Sequence, residues 1–199
     1  MKKLILIVFL GLGSLQLFSQ TLPPVFIPIQ NVAQQNPMWC WAAVTEQIVT
    51  FKKNISPKQC ELVTKVVKGL STNCCDNTAV CNTPGTMQQI QAVLNEFGIK
   101  YSAALPMTNP NALYNLLAQN HPVILFLQSS RTVGHCIVIT GMEWQAQSAV
   151  PSNGEFIDPT STSSSGQAIV YVNDPTSTYT QPLPFNTIVS LWSNAIVLN

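Results

Sequence analysis

A long helix is predicted to begin at the block Trp39-Cys40-Trp41-Ala42-Ala43, in which a cysteine stands between two tryptophans. Apolar residues continue at helical spacing, and the last turn ends in two lysines, which suit a helix C-terminus. These residues are Val44, Ile48, Val49, Phe51, Lys52 and Lys53. Because the amide groups at a helix N-terminus stabilise an anion, a cysteine there is readily converted to a thiolate. Cys40 is therefore the predicted nucleophile; the alternative is a buried structural cysteine.

A glutamine six residues before Cys40 is a candidate for an oxyanion site. Gln34 could place its side-chain amide beside the backbone N–H of Cys40. Such donors stabilise the negatively charged oxygen of a tetrahedral intermediate, and loss of one donor typically costs about 10²–10³ in rate. Gln34 is therefore predicted to act together with Cys40 in catalysis.

The chain has two histidines, and one of them lies where a catalytic base is expected. His135 opens a segment of alternating pattern, and Ile137 and Ile139 share its face. Its imidazole is therefore predicted to sit at the open end of an apolar surface, although a satisfied core histidine is the alternative. His121 lies in a polar turn and is predicted to be a surface residue. Cys136 should point away from His135, as a packing residue or a spare free thiol.

An imidazole base needs a neighbouring group that fixes its tautomer and stabilises the imidazolium. The candidates are Asp174, Asn173 and Asp158. Asp174 follows a predicted strand, Ile169–Val172, which we expect to pair antiparallel with the strand that begins at His135. Asn173 should point to the other face, and Asp158 falls in a predicted loop. Asp174 is therefore the favoured third member of the site.

Helices are predicted in the first part of the chain and strands in the second. After the Cys40 helix, helix starts are indicated by a capping residue or a proline, and one helix end by a glycine. These signals are Ser56 with Pro57, Thr86, Asn109 with Pro110, and Gly98. β-branched and aromatic runs predict strands at Val123–Leu127, Gly134–Gly141, Ala168–Val172 and Ala195–Leu198, with a long loop between Gln145 and Gln167.

Helices followed by strands are typical of an α+β fold. We expect one domain over residues 20–199, with residues 20–120 forming a mainly helical lobe and residues 121–199 a mainly antiparallel β lobe. The nucleophile would lie at a helix start in the first lobe and the histidine in the second, with a cleft between them.

Residues 1–19 have the pattern of a signal peptide. Lys2 and Lys3 precede the apolar run Leu4–Leu12, and cleavage is expected near Ser19. An uncleaved membrane anchor is the alternative, but the apolar run is short for a bilayer span. The protein is therefore predicted to be secreted, to the periplasm or beyond, without stable membrane insertion.

Charge excludes several classes of partner. Without Lys2 and Lys3, seven basic and eight acidic residues remain, so there is no basic excess for nucleic acid or an anionic membrane. We expect a monomer that uses no cofactor and no catalytic metal.

Four clustered cysteines predict two disulfides in an exported protein. Cys60, Cys74, Cys75 and Cys81 lie within 22 positions. Because adjacent cysteines rarely bond to each other, the options are Cys60–Cys74 with Cys75–Cys81, or Cys60–Cys75 with Cys74–Cys81. A zinc site is the rival interpretation, but the spacing lacks paired C-x-x-C units.

The chain resembles papain-like cysteine peptidases, and within them two bacterial branches. These are the plant-pathogen type III effector proteases and the peptidases that remove double-glycine leaders from bacteriocins. The resemblance rests on Gln34-x5-Cys40-Trp41, Trp39-Cys40-Trp41-Ala42-Ala43, Cys74-Cys75, Cys81-Asn82, Gly134-His135-x-Ile137-Val138-Ile139-x-Gly141 and Val172-Asn173-Asp174-Pro175. It implies a papain-like fold with Cys40, His135 and Asp174 as catalytic triad and Gln34 as oxyanion donor.

Two features differ from papain: the third residue would be Asp174 rather than an asparagine, and the interval from Cys40 to His135 is shorter. Two rival functions remain. One is a Cys-His amidase that cuts peptidoglycan stem peptides, and the other is a disulfide-stapled binding module without activity.

Overall fold

The protein is described by a computed structural model that covers residues 22–67, 73–128, 134–145 and 166–199. The predicted signal peptide and Asp158, with most of its predicted loop, lie outside these residues. Within the described residues, no helix is both long enough and apolar enough to span a membrane.

Five helices are present in the described residues: α1 (Cys40–Lys53), α2 (Gln59–Val66), α3 (Met87–Glu96), α4 (Pro110–Ala118) and α5 (Phe185–Val189). The predicted start of α1 at Cys40 is confirmed. Residues 41–49 of α1 are buried without interruption, which marks a helix surrounded by protein on all sides. The helix ends at Asn54, which adopts a left-handed backbone conformation with φ 55°.

The predicted helix starts at Thr86 and Asn109 are confirmed, because each side chain accepts a hydrogen bond from a backbone N–H of the first turn. The predicted start at Ser56 is wrong by two residues. Lys58 is the N-cap of α2, and the Glu61 carboxylate accepts its backbone N–H at 3.3 Å. The Ser56 hydroxyl instead donates to Glu46 at 3.3 Å. The hydrogen bond that the backbone N–H of Lys58 donates to Glu61 therefore marks the helix start.

The strands form one seven-stranded antiparallel sheet within the described residues. Their bounds are β1 (Val25–Phe26), β2 (Tyr101–Ala104), β3 (Val123–Gln128), β4 (Gly134–Gln145), β5 (Gln167–Asn173), β6 (Thr180–Pro184) and β7 (Trp192–Leu198). The order is β2-β7-β3-β4-β5-β6, with β1 paired to β4. The sequence predicted β3, β4, β5 and β7, but not β1, β2, β6 or α5. The sheet thus takes β1 and β2 from the N-terminal part of the chain.

Strand β4 is the centre of the fold. Residues 136–142 are buried without a break, as expected for a strand covered on both faces. β4 pairs with β3 on one side and with β5 on the other, and α1 packs against it. This packing brings the N-terminus of α1 to the beginning of β4. The α+β prediction is confirmed.

Two disulfides join the four clustered cysteines, Cys60 to Cys75 and Cys74 to Cys81. This is the second of the two predicted pairings, and it leaves no free thiols in the cluster for zinc. Cys40 and Cys136 are free cysteines. The first disulfide ties α2 to residues 73–85, called here the cysteine-rich loop, and the second joins two residues of that loop.

Candidate active site

Cys40 is the first residue of α1, so its backbone N–H has no acceptor within the helix. The tryptophans on either side are fully buried and anchor the helix start. Trp39 donates its indole N–H to the carbonyl of Cys81 at 2.9 Å, and Trp41 donates to the carbonyl of Thr83 at 3.3 Å. The cysteine-rich loop therefore fixes the position of Cys40.

The same loop approaches Trp41 so closely that a side chain is excluded at Gly85. A Cβ atom at this position would overlap the indole ring of Trp41. A second contact joins the loop to the residues before α1, since the backbone N–H of Met38 donates to Asn82 Oδ1 at 3.0 Å. Glycine at position 85 is thus needed for the loop to close over the start of α1.

The His135 imidazole and the Asp174 carboxylate are in direct contact. His135 Nε2 and Asp174 Oδ1 lie 2.8 Å apart, and both side chains are about one quarter exposed. β4 and β5 pair antiparallel with Val138 opposite Asn173, which brings the end of β5 to the beginning of β4 as the sequence predicted. Because Nε2 is taken by Asp174, Nδ1 is the nitrogen available to the thiol.

A residue that sequence reasoning missed completes the carboxylate's surroundings. Thr176 donates to Asp174 Oδ1 with both its backbone N–H, at 2.8 Å, and its hydroxyl, at 2.7 Å. A side-chain oxygen that accepts from the backbone two residues on is a common device of turns that begin with Asp. The Asp-Pro-Thr-Ser sequence was the available signal. Thr176 holds the carboxylate in the orientation that faces His135.

The electrostatics favour a thiolate–imidazolium pair. A hydrogen bond from Cys136 lowers the pKa of Cys40 to about 5, assisted by His135 and opposed by burial. Burial depresses the pKa of His135, but hydrogen bonds and charges of Asp174 and Cys40 outweigh it and raise this pKa to about 9. Burial opposes the ionised form of Asp174, yet the hydrogen bonds from His135 and Thr176 lower its pKa to about 2. Between about pH 5 and 9, Cys40 is therefore anionic and His135 cationic.

Cys136 is the buried free thiol that the sequence predicted, but it also belongs to the site. Its side chain is buried but hydrogen-bonds to Cys40, and it lines the same cleft. The Cys40 anion and burial raise the pKa of Cys136 well above the usual thiol range. Strand alternation places Cys136 on the opposite face of β4 from His135. That alternation does not reveal that the N-terminus of α1 lies at the beginning of β4, where Cys40 contacts both His135 and Cys136.

Gln34 lies in the cleft with Cys40, but its amide is already engaged. Nε2 donates to the carbonyls of Asn36, at 3.0 Å, and Pro37, at 2.7 Å. Its Oε1 is buried and has no hydrogen-bond partner among the described residues. The amide is thus fixed beside the helix start, and its role as oxyanion donor stays a prediction.

The remaining candidates lie elsewhere. Asn173 points away from His135 and donates to Gln47 Oε1 and to the carbonyl of Ile29. His121 is half-buried rather than a free surface residue, because its Nδ1 contacts the carbonyl of Leu198 at 2.8 Å. Asp158 lies outside the described residues, so its predicted minor role is untested.

A cleft of about 760 Å³ opens over Cys40 and His135. Apolar side chains on its walls are Met38, Met87, Phe126 and Leu127, and polar ones are Gln88, Gln128, Ser193 and Asn194. Among the described lining residues there is no Lys, Arg, Asp or Glu. The arrangement suits nucleophilic attack on an extended, uncharged segment, with His135 as acid and base.

Comparison with known proteins shows the family and the fold of this chain. The profile of the family described as "Papain-like cysteine protease AvrRpt2" matches residues 25–184. The peptidase domain of Streptococcus ComA, a bi-functional ABC transporter involved in a quorum-sensing pathway, is similar in structure. Its TM-score is 0.55 at 15% identity, over 85% of this chain and 97% of that one.

A second similar structure is a double glycine motif protease from an AMS/PCAT transporter, in complex with the leader peptide. Its TM-score is 0.51 at 14% identity, over 88% of this chain and 96% of that one. No curated protein is significantly similar in sequence. At these identities the two structures indicate the fold alone. The family profile spans most of the chain, and the chain therefore belongs to the papain-like cysteine protease family typified by AvrRpt2.

Proposed function

We propose that this cysteine peptidase hydrolyses peptide bonds through a Cys40–His135–Asp174 triad and a thioester acyl-enzyme. The observation that carries the proposal is the placement of His135, whose Nε2 is held by Asp174 at 2.8 Å while the ring contacts Cys40. A base that is oriented by a third group and adjacent to a thiol is the arrangement that nucleophilic catalysis requires.

The first half of the reaction begins with the Cys40 thiolate. Its sulfur attacks the scissile carbonyl carbon, and the carbonyl oxygen becomes an oxyanion. When the tetrahedral intermediate collapses, the C–N bond breaks and His135 transfers its proton to the departing amine. Cys40 is then acylated as a thioester and His135 is neutral. Asp174 stays ionised throughout and orients the ring.

The second half uses water. Neutral His135 removes a proton from a water molecule, whose oxygen attacks the thioester carbonyl. Collapse of this intermediate releases the peptide acid and returns Cys40 as a thiolate beside a protonated His135. The bonds broken and formed sum to hydrolysis of one peptide bond, and no cofactor is needed.

The oxyanion would be stabilised by the Cys40 backbone N–H and by Gln34. The free N–H at the start of α1 supports the first donor. Gln34 Nε2 faces two carbonyls, so it would have to share one hydrogen with the oxyanion. On this proposal, Gln34→Ala lowers kcat by about 10² or more and leaves KM nearly unchanged.

The predicted secreted location is also part of the proposal. The two disulfides support it, because such bonds form and persist in oxidising compartments. The proposed substrate is a polypeptide, and the proposed active form is a monomer.

The test uses both histidines as matched variants. An epoxide probe for cysteine peptidases should label the wild-type protein and His121→Ala, but neither Cys40→Ala nor His135→Ala. Casein hydrolysis should follow the same order. If the protein hydrolyses purified peptidoglycan but not casein, the amidase is favoured. If the folded wild-type protein is not labelled by the probe, the binding module without activity is favoured.

A further inference from the structure

Three buried amide side chains connect the nucleophile helix to the turn that holds Asp174. Gln47, on α1, donates from Nε2 to Asn31 Oδ1 at 3.1 Å and accepts from Asn173 Nδ2 at 3.1 Å. Asn173 and Gln47 are almost fully buried, and Asn31 is only 7% exposed. Because buried amides are costly unless their hydrogen bonds are made, this arrangement resists displacement.

At one end of this amide network, Asn31 holds the turn that follows β5. Its Nδ2 lies 3.0 Å from the carbonyl oxygen of Asp174, 3.2 Å from that of Ser177 and 3.0 Å from that of Tyr179. The turn therefore curls around a single amide group. The backbone of Asp174 itself is one of the three groups held.

At the other end, hydrogen bonds of the Asn173 side chain fix the position directly before Asp174. Its Nδ2 donates to the carbonyl of Ile29 at 2.9 Å, and its Oδ1 accepts from the Thr180 hydroxyl at 2.6 Å. The backbone is thus held at Asn173, at Asp174 and beyond. The carboxylate has little freedom to turn away from His135.

Gln47 also lies on the element that bears the nucleophile. It follows Cys40 by seven residues, which is about two turns of α1. The network therefore links the helix that carries Cys40 to the loop that carries Asp174. The proposed chemistry does not otherwise use these three amides.

We propose that Asn31, Gln47 and Asn173 are positioning residues that fix Asp174 relative to the Cys40 helix and so sustain the imidazolium of His135. This inference rests on the triad proposed above. Without the network, the carboxylate would move away from the ring, and His135 would lose its proton at lower pH.

The test compares Gln47→Leu with Thr45→Val. Both remove a buried polar group from α1, but the Thr45 hydroxyl donates within the helix, to the carbonyl of Trp41 at 2.6 Å, and is not part of the amide network. For Gln47→Leu, the alkaline limb of the kcat/KM profile should move to lower pH by about 0.5–1 unit, with the acid limb unchanged. At pH 9, kcat/KM should then fall about 2- to 5-fold, because that shift lowers the fraction of His135 that is protonated by this factor. Thr45→Val should lower the unfolding temperature and leave both limbs in place.

A folded but destabilised Gln47→Leu protein that keeps both limbs would overturn the inference, since that result describes a purely structural role. If Gln47→Leu does not fold, Thr180→Val decides. It removes one donor to Asn173 at the exposed edge of the network. A smaller shift of the alkaline limb in the same direction supports the inference, and no shift overturns it.

A titration without turnover separates this inference from the proposed function. In Cys40→Ala, NMR gives the titration midpoint of His135, and Gln47→Leu is then added to that background. A lower midpoint in the double variant supports the positioning role, and an unchanged midpoint overturns it. If Cys40→Ala keeps its activity, the triad is wrong, but the titration still measures the link to Asp174.

Discussion

Trp39 donates its indole N–H to the carbonyl of Cys81 at 2.9 Å, which ties the residue before the nucleophile to a disulfide-bonded loop. Cys81 is bonded to Cys74, while the other disulfide, Cys60–Cys75, secures the loop to α2. The two disulfides therefore support the site in different ways. One supports the start of α1 directly, and the other supports the loop.

The first prediction separates stability from activity with two double variants. Loop-closure entropy predicts a loss of about 2.5 kcal/mol in unfolding free energy for Cys74→Ser/Cys81→Ser and about 3 kcal/mol for Cys60→Ser/Cys75→Ser. The loss of kcat/KM should be larger for Cys74→Ser/Cys81→Ser than for Cys60→Ser/Cys75→Ser. Only the Cys74–Cys81 bond fixes the carbonyl group that accepts the hydrogen bond from the Trp39 indole N–H. Urea unfolding and peptide hydrolysis measure the two quantities. Equal activity losses would contradict this view of the loop.

The second prediction concerns the carboxylate. Asp174→Asn should lower kcat substantially, but less than Cys40→Ala, because a Cys–His pair keeps part of its function without the acid. Thr176→Val removes one of two donors from Thr176 to Asp174, so its effect should be in the same direction and smaller, about 3- to 10-fold. Steady-state kinetics at pH 7 measures all three.

Asp158→Asn is the control for the second prediction, since it shares the Asp-Pro-Thr-Ser context of Asp174. It should change kcat little. The reverse ranking, with Asp158→Asn more damaging than Asp174→Asn, would require a different third residue in the site.

Local sequence signals predicted much of this arrangement. Cys40 at a helix start, His135 at a strand start and Asp174 at a strand end are each marked by capping, alternation or β-branched residues. Antiparallel pairing of β4 and β5 then brings His135 and Asp174 together. These positions follow from chain periodicity, which acts over a few residues.

The features that were missed depend on contacts between distant parts of the chain. Strand β6 contains Pro182 and Pro184. These prolines are tolerated because β6 is the last strand at one edge of the sheet. Asn31 contacts Asp174 across 143 positions, so no local pattern reveals it. The contact of Cys136 with Cys40 was missed for the same reason, since it depends on where α1 packs.

The third prediction is the pH dependence of kcat/KM. On the proposed mechanism, the active form needs an anionic Cys40 and a cationic His135. Below the lowered pKa of Cys40, about 5, the thiolate is protonated, and above the raised pKa of His135, about 9, the imidazolium is lost. The profile should be a bell whose limbs report the pair as a unit. A single limb near pH 8.5, typical of an unperturbed thiol, would contradict the ion pair.

The fourth prediction is that the hydrogen bond from Cys136 to Cys40 sets the pH of the acid limb of the kcat/KM profile. Its thiol donates to the Cys40 anion, so removing it destabilises the thiolate and raises the pKa of Cys40. In Cys136→Ala the acid limb should therefore move to higher pH, by about one unit for a hydrogen bond to a charged group. The alkaline limb should stay, because Asp174 still holds His135.

Cys136→Ser is the matched control for the fourth prediction. A hydroxyl can replace the thiol as donor, so the acid limb of Cys136→Ser should lie close to that of the wild type. The rate of Cys40 alkylation by iodoacetamide against pH measures the thiolate directly, without a substrate. Because Cys136 is also buried in the core, both variants should lose some stability, which urea unfolding measures separately. If Cys136→Ala and Cys136→Ser give the same acid limb as the wild type, the hydrogen bond from Cys136 does not stabilise the thiolate. The lowered pKa of Cys40 would then depend on His135 and the start of α1.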